Sequence, residues 1–195
     1  EMCIRDSFQG FPIFFNQKRV GYNFKTFNIY KFRTMVNNNG QLITEPNDNR
    51  ITLFGKFLRF TKIDEIPQLI NIIKGDMRFI GPRPEVVYYT TEKDFSFLNK
   101  VKPGISDFAS IILRNETKII KRIGGDNPYN KLLPIKLELA NYYAKNKSFW
   151  LDLKLVIVTA ISILFPNFAI KVLLLPLLKF KSHRTKDFLI KYEII

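Results

Sequence analysis

The segment from Arg59 to Glu85 constrains this chain more than any other part of it. Within this segment, apolar residues recur at helical spacing: Ile66, Leu69, Ile70 and Ile73. This spacing predicts an amphipathic helix with one apolar face. Pro67 in its first turn and Gly75 just past its end are the residue types that commonly open and close helices.

Two adjacent carboxylates, Asp64 and Glu65, precede the apolar stripe, so we expect them near the N-cap and in the first turn of this helix. There they could be ordinary capping residues, worth about 0.5–2 kcal/mol. Their surroundings favour a chemical role instead, because four basic residues share the same short block: Arg59, Lys62, Arg78 and Arg83. A carboxylate nucleophile or metal ligand beside phosphate-binding cations is what phosphoryl transfer requires.

The remaining pattern predicts an α+β fold, mainly helical, with a small β-hairpin near the N-terminus and membrane-surface-associated helices. Aromatic and β-branched residues between Ile13 and Met35 alternate as in two strands, with Gly21 and Asn23 in the turn. The alternation places Lys31 and Arg33 on the same face of the second strand.

Several helices follow. A short helix over Leu53 to Phe60 is expected to bury one side, formed by Leu53, Phe54, Phe57 and Leu58. Two longer helices are expected over Leu132 to Lys145 and over Ser148 to Phe165, with Ser148 as an N-cap. The apolar run from Leu155 to Phe165 is shorter than the roughly 20 residues that a membrane span needs. A core helix and an interfacial helix both fit it, whereas the basic stretch Lys179 to Lys186 is expected to be a solvated end or a contact with lipid headgroups.

Composition removes several classes of protein. A single cysteine, Cys3, excludes an internal disulfide framework, and a single histidine, His183, excludes a His-rich zinc site. No phosphate-binding G-x-x-x-x-G-K-[ST] loop is present, which argues against a P-loop nucleotidase. The chemistry therefore depends on carboxylates, lysines and arginines.

The net charge of +14 favours a polyanionic partner, and both nucleic acid and anionic lipid satisfy this condition. A basic nucleic-acid-binding domain is one alternative. Phe accounts for 19 residues, mostly at core-like spacing, and no recognised nucleic-acid motif appears. We therefore expect no nucleic-acid partner.

Several motifs of this chain together resemble the bacterial sugar transferases, the monotopic polyprenyl-phosphate phosphoglycosyl transferases. The matching stretches, in family order between about Phe8 and Ile161, are Tyr30–Met35, Asn49–Gln68, Gly75–Glu85 and Val101–Ile105. The resemblance implies transfer of a sugar 1-phosphate from a nucleotide diphosphate sugar, usually a UDP-sugar, to polyprenyl phosphate. It also implies that Asp64 is the nucleophile that forms a covalent phosphosugar intermediate.

The same resemblance implies the rest of the site. Glu65 is expected to assist by handling the acceptor's proton or the metal, and a Mg²⁺ ion is expected at Asp64 and Glu65. Arg59 and Arg83 are the first candidates for substrate phosphate contacts, followed by Lys31 and Arg33. The expected location is the cytoplasmic face of a bacterial inner membrane, with an anionic membrane surface as a further partner.

The resemblance divides the chain into three parts. Residues 1–7 match nothing in the family pattern, residues 8–165 form the expected catalytic domain, and residues 166–195 form an apolar and basic tail. The apolar re-entrant helix pair that precedes the hairpin in the family is missing here, so we expect an N-terminally truncated copy. A non-catalytic remnant of the family is a further alternative, although the intact Asp64–Glu65 pair argues against it.

Overall fold

The computed structural model describes residues 12–36, 48–90, 95–125, 127–178 and 183–194. The prediction for residues 1–7 lies outside this part of the chain. The four strands are β1 (Phe14–Val20), β2 (Thr26–Phe32), β3 (Arg78–Ile80) and β4 (Gly104–Ser106). The α-helices are α1 (Leu53–Thr61), α2 (Gln68–Ile73), α3 (Phe108–Ile112), α4 (Glu116–Ile123), α5 (Pro128–Asn146), α6 (Phe149–Leu164), α7 (Pro166–Phe168) and α8 (His183–Lys191). The predicted α+β, mainly helical class is confirmed.

The predicted N-terminal hairpin is confirmed. Strands β1 and β2 pair antiparallel, from Phe14 opposite Phe32 to Val20 opposite Thr26. A short 3₁₀ turn joins them, and Asn23 takes the left-handed conformation there, with φ of 51°. Asparagine tolerates this region better than most residues, because its short side chain can bond to the local backbone.

A second, parallel pair of short strands fixes the Gly-Pro-Arg-Pro segment. Strand β3 pairs with β4 through Arg78 opposite Gly104 and Ile80 opposite Ser106. A side chain at Gly104 would place its Cβ 2.2 Å from the backbone nitrogen of Gly81, so this close approach requires glycine. The pairing therefore holds the residues that follow Gly81 against the end of β4.

Helices α3 to α6 build the main core, together with the helical pieces that follow α6. Its most deeply buried apolar side chains include Phe108, Leu132, Ile135, Leu155, Leu174 and Leu189. The predicted helices around residues 132–145 and 148–165 are confirmed as α5 and α6, and the Ser148 hydroxyl accepts a hydrogen bond from the backbone N–H of Leu151 at 3.2 Å. Helix α6 buries one side in the core and exposes apolar side chains on the other, so the predicted core helix is confirmed for the buried side and the interfacial helix stays a prediction.

The chain beyond residue 165 packs onto this core. After α7 it continues as a π-helical piece, Ala169–Leu174, and a 3₁₀ piece, Leu175–Leu177. Of the stretch from Lys179 to Lys186, expected to be a solvated end or a contact with lipid headgroups, residues 179–182 lie outside the described residues. Lys186 is exposed, but the expectation is wrong for Thr185, which is fully buried. The Thr185 hydroxyl also donates to the carboxylate of Glu138 on α5.

Helix α1 is not buried in the way the sequence predicts. Leu53 is 83% exposed, and Phe54 and Phe57 are also exposed, whereas Leu58 is the one residue of the four that is buried, at 6% exposure. The helix packs through its small residue: a Cβ on Gly55 would lie 2.1 Å from the carbonyl oxygen of Thr34. The close contact between Gly55 and Thr34, which follows β2, therefore leaves three of the four predicted buried residues facing outward.

Helix α2 shows the same inversion. Its apolar stripe is exposed, with Ile73 at 86%, while the polar residues Gln68 and Asn71 are buried. The Asn71 amide donates to the carbonyl of Asn28 at 2.8 Å and accepts from the N–H of Tyr30 at 3.2 Å, so it satisfies the free edge of β2. Because these bonds hold the polar face inward, the apolar face must point away from the protein.

Candidate active site

The Asp64–Glu65 pair lies in a cleft of about 890 Å³ between the hairpin, the α1–α2 connection, the Pro-Arg-Pro segment and helices α3 to α6. Nine basic residues line this cleft: Arg19, Lys31, Arg33, Arg50, Arg59, Lys62, Arg83, Arg114 and Lys136. Four acidic residues line it: Asp64, Glu65, Glu85 and Glu116. A cleft with this excess of cations favours an anionic ligand and concentrates it near the carboxylates.

A 3₁₀ turn, Ile63–Glu65, presents the two carboxylates, and α2 begins only at Gln68. The prediction that Asp64 lies near the N-cap of α2 is therefore wrong by about one turn. Pro67 explains the shift, because it has no N–H to donate to the carbonyl of Ile63. That carbonyl instead accepts from the N–H of Ile66 at 3.1 Å, which closes a 3₁₀ turn.

Glu65 is the centre of a buried ionic cluster. Its Oε1 accepts hydrogen bonds from the Lys31 ammonium at 3.1 Å and from Nη2 of Arg83, and its Oε2 accepts from Nη1 of Arg83 at 3.3 Å. Burial alone would raise the pKa of Glu65, but the charges of Arg83 and Lys31 outweigh it and hold the pKa well below its ordinary value of 4.5. Glu65 is therefore an ionised carboxylate that orients two cations.

Asp64 has a different environment, although it is the next residue in the chain. Its side chain is 7% exposed, and its buried Oδ1 has no hydrogen-bond partner among the described residues. Burial raises the pKa of Asp64 above its ordinary value of 3.8, against the opposing attraction of Lys31. A buried oxygen without a partner is rare in folded proteins. Such an oxygen can bond to a ligand without first losing a protein contact.

The other predicted substrate residues reach the same cleft. Arg59 donates through Nε to the Thr34 hydroxyl at 2.8 Å, and it is close enough to Asp64 that the carboxylate raises the pKa of Arg59 against the larger lowering by burial. Arg33, the residue directly after β2, also lines the cleft. The structure thus brings all six predicted site residues together, while their individual roles stay predictions.

A second ionic cluster, which the sequence did not predict, lies on the far wall of the cleft. Glu85 accepts hydrogen bonds from the Tyr129 hydroxyl at 2.7 Å and pairs with the Lys136 ammonium at 2.9 Å and with Arg19 at 3.9 Å. Burial raises the pKa of Glu85, but its interactions with Lys136, Tyr129 and Arg19 together lower the pKa by more than burial raises it. The net shift is therefore downward. Glu85 directly follows the Pro-Arg-Pro segment, but nothing in the spacing of Tyr129 and Lys136 indicated that they would face it.

The expected Mg²⁺ site fits Asp64 better than Glu65. The described residues contain no group of three or more histidine, cysteine, aspartate or glutamate side chains that could hold a metal ion. Mg²⁺ commonly binds through only one or two carboxylates together with substrate phosphates and water. The unpartnered Oδ1 of Asp64 can serve as such a ligand, whereas both oxygens of Glu65 already accept hydrogen bonds from cations.

Comparison with known proteins places the chain in a family. The model of the family described as "Bacterial sugar transferase" matches residues 2–166. The chain belongs to this bacterial sugar transferase family. The Asp64–Glu65 pair and Arg83, which lie in one cation-lined cleft, all fall within the matched residues.

Curated proteins of this family are similar to the chain. The uncharacterized sugar transferase EpsL of Bacillus subtilis is 39% identical over 161 residues, which cover 80% of this chain and 71% of that protein. A UDP-N-acetylgalactosamine-undecaprenyl-phosphate N-acetylgalactosaminephosphotransferase of Aeromonas hydrophila is 37% identical, over 78% of this chain and 36% of that protein. A UDP-glucose:undecaprenyl-phosphate glucose-1-phosphate transferase of Escherichia coli is 36% identical, over 76% of this chain and 32% of that protein.

This sugar transferase chain thus spans most of the Bacillus protein but about one third of the other two relatives. Within the described ranges, no helix is both long enough and apolar enough to cross a bilayer.

Proposed function

We propose that this chain transfers a sugar 1-phosphate from a nucleotide diphosphate sugar, most simply a UDP-sugar, to polyprenyl phosphate. The single observation that carries this proposal is the Asp64 carboxylate, whose buried Oδ1 has no partner among the described residues and lies in a cleft that nine of the described basic residues line. The names of the Aeromonas and Escherichia relatives, which specify undecaprenyl-phosphate as acceptor, support the same class of reaction.

The first step is an attack by an Asp64 carboxylate oxygen on the phosphorus that carries the sugar. A new carboxyl O–P bond forms, the bond from this phosphorus to the oxygen bridging the two phosphates breaks, and the nucleoside monophosphate leaves with that oxygen. The raised pKa of Asp64 reflects incomplete solvation of the carboxylate, and poorly solvated carboxylates are better nucleophiles. The cations around the cleft reduce its repulsion from the diphosphate.

The second step regenerates the enzyme. A phosphate oxygen of the polyprenyl acceptor attacks the same phosphorus, the carboxyl O–P bond breaks, and Asp64 returns to its free carboxylate form. The products are polyprenyl diphosphosugar and an unmodified protein. Splitting one transfer into two displacements is the usual advantage of a covalent intermediate.

Glu65 acts in this scheme through the cations it holds. Its depressed pKa keeps it ionised, so it is a poor proton acceptor and a good anchor for Arg83 and Lys31. Bidentate contact with the Glu65 carboxylate fixes the plane of the Arg83 guanidinium within the cleft. Bound Mg²⁺, with Asp64 and substrate phosphates as ligands, would supply further neutralisation of the diphosphate charge.

The exposed apolar helices suggest where the reaction takes place. Helices α1 and α2 expose apolar side chains in consecutive stretches of the chain: Leu53, Phe54, Phe57, Phe60, Ile66, Leu69, Ile70 and Ile73. A helix whose apolar face points outward is typical of proteins that lie in the membrane interface. With the net charge of +14, this surface favours an anionic bilayer, and we place the protein at the cytoplasmic face of a bacterial inner membrane.

A donor screen tests the proposed reaction directly. Purified protein in detergent micelles would be incubated with Mg²⁺, a short polyprenyl phosphate and, one at a time, several UDP-sugars, and release of nucleoside monophosphate would be measured. We expect release with at least one donor, dependent on the acceptor for sustained turnover and absent in Asp64→Asn. If no donor releases monophosphate from folded protein, or if the Asp64→Asn variant turns over at the wild-type rate, the proposal is wrong.

A further inference from the structure

The cations of the cleft fall into two groups. Five of them lie within 4.0 Å of a carboxylate oxygen: Arg19, Lys31, Arg50, Arg83 and Lys136. Within the part of the chain that the structure describes, Lys62 has neither a hydrogen bond nor an ion pair through its ammonium, although it lines the cleft. Its charge is therefore available to a ligand without displacing a protein contact.

The backbone holds Lys62 in a special position. It ends α1 in the left-handed conformation, with φ of 61°, which residues other than glycine seldom adopt. Its carbonyl accepts the N–H of Glu65 at 3.1 Å, so the same residue that stops α1 also starts the turn carrying Asp64 and Glu65. The backbone of Lys62 is thus held two residues before the predicted nucleophile, Asp64.

A second cation lies on the same side of the cleft. Arg114 lines the cleft and donates through Nη1 to the carbonyl of Ser162 and through Nη2 to the carbonyl of Phe60 at 3.4 Å. Both of these partners are neutral, and Phe60 is only two residues before Lys62 in the chain. Among the described residues, neither Lys62 nor Arg114 forms an ion pair with a carboxylate.

This side of the cleft is also where it meets the exposed apolar surface. Phe60, whose carbonyl receives Arg114, is 76% exposed, and Ile66 and Ile163 both line the cleft and are exposed to its outside. A nucleotide sugar is water-soluble and has no hydrocarbon chain that could cover these apolar side chains. A phosphate monoester with a long hydrocarbon chain matches it, because its headgroup would meet the cations while its chain stays on apolar side chains.

We propose that Lys62, assisted by Arg114, binds the phosphate headgroup of the polyprenyl acceptor. This inference rests on the proposed function, but it assigns the acceptor to a specific edge of the cleft and to a residue that the sequence argument left without a role. The bound phosphate lies within reach of the sugar-bearing phosphorus on Asp64, since Lys62 and Asp64 are two residues apart in one tight turn.

The test compares charge variants for binding and for turnover. Farnesyl phosphate in detergent micelles serves as the probe, and binding to wild type, Lys62→Gln, Lys62→Arg and Lys56→Gln is measured by calorimetry. Lys56 is the matched control, since it lies on α1, is exposed and does not line the cleft. Losing one charge-assisted contact should weaken farnesyl phosphate binding about tenfold to hundredfold in Lys62→Gln, with most of it restored in Lys62→Arg and less than a twofold change in Lys56→Gln.

The KM values of the two substrates show whether Lys62 acts on the acceptor or on the donor. We expect Lys62→Gln to raise the KM for farnesyl phosphate at least tenfold and the KM for the nucleotide sugar by less than threefold. Circular dichroism checks the fold, and Lys62→Asn provides a second neutral variant, because asparagine tolerates the left-handed conformation. Arg114→Gln should shift the acceptor KM in the same direction.

The outcomes distinguish the two proposals. Farnesyl phosphate binding that stays within twofold of wild type in folded Lys62→Gln and Lys62→Asn overturns the role of Lys62. A larger effect on the donor KM than on the acceptor KM overturns the assignment to the acceptor, and equal weakening of inorganic phosphate and farnesyl phosphate overturns the role of the apolar border. If wild-type protein releases no monophosphate yet binds farnesyl phosphate through Lys62, the reaction is wrong and the binding site stands.

Discussion

Leu53 and Leu58 lie on the same short helix and offer a direct test of the inverted surface. Leu53 is 83% exposed and Leu58 is 6% exposed, so substitution to alanine should lower the unfolding free energy much more at Leu58 than at Leu53. Leu58→Ala removes buried methyl groups and leaves a cavity, which costs about 2–5 kcal/mol of unfolding free energy. Leu53→Ala removes nothing from the core and should change the unfolding free energy by about 0.5 kcal/mol or less.

Vesicle binding should be weakened more by Leu53→Ala than by Leu58→Ala. Complete burial of a leucine side chain contributes about 1.5–3 kcal/mol, and the exposed fraction of Leu53 is available to a bilayer. Leu53→Ala should therefore weaken binding to vesicles by about 1–2 kcal/mol, or roughly fivefold to thirtyfold. Leu58→Ala should leave vesicle binding close to wild type at temperatures where it is folded.

The assay combines thermal unfolding followed by circular dichroism with co-sedimentation on phosphatidylglycerol vesicles. For a chain of this size, the loss expected for Leu58→Ala corresponds to a decrease in Tm of about 5–15 °C. If Leu53→Ala decreased the Tm as much as Leu58→Ala and left vesicle binding unchanged, α1 would be a core helix. The proposed membrane surface would then be refuted.

Further predictions concern the two carboxylates, the second cluster and the choice of polyanion. Glu65→Gln should lower the unfolding free energy at pH 7 by about 2–3 kcal/mol, since it breaks a largely buried ionic cluster. Because the folded-state pKa of Glu65 is depressed, wild-type stability should fall as the pH drops below about 4.5, and pH-dependent urea unfolding should show a smaller fall in Glu65→Gln. The raised pKa of Asp64 has the opposite sign, so ionised Asp64 lowers stability at pH 7, and Asp64→Asn should have a Tm equal to or above wild type. Tyr129→Phe removes a buried hydrogen bond to Glu85 and should cost about 1–2 kcal/mol in the same unfolding assay. Retention at rising salt should be stronger on anionic liposomes than on DNA, and the reverse order would favour a nucleic-acid partner.

Periodicity located the elements of this fold but could not tell which environment each face meets. The alternating pattern of the hairpin and the Ser148 cap of α6 are local signals, and the structure confirms both. The stripe on α2 was also real, yet it faces outward, because Asn71 bonds to the edge of β2. That bond joins residues 43 positions apart, so no local pattern could have indicated it.

The candidate site divides in the same way. The Asp64–Glu65 pair, Arg59 and Arg83 lie in short motifs, so their proximity in the chain and the resemblance to a family were enough to predict them. Tyr129 and Lys136 are brought to Glu85 by the packing of α5, more than 40 residues later in the chain. The sequence also could not predict that Asp64 and Glu65 have different environments, because the difference depends on which of the two carboxylates Arg83 contacts in the folded chain.

The covalent role of Asp64 is tested most directly by isolating the intermediate. Folded wild-type protein would be incubated with Mg²⁺ and the donor chosen by the screen, without acceptor, and the peptide containing Asp64 would then be analysed by mass spectrometry. We expect a mass increase equal to one sugar phosphate on Asp64, which disappears when polyprenyl phosphate is added and never forms in Asp64→Asn. Unlabelled Asp64 in a preparation that turns over with both substrates would contradict the account.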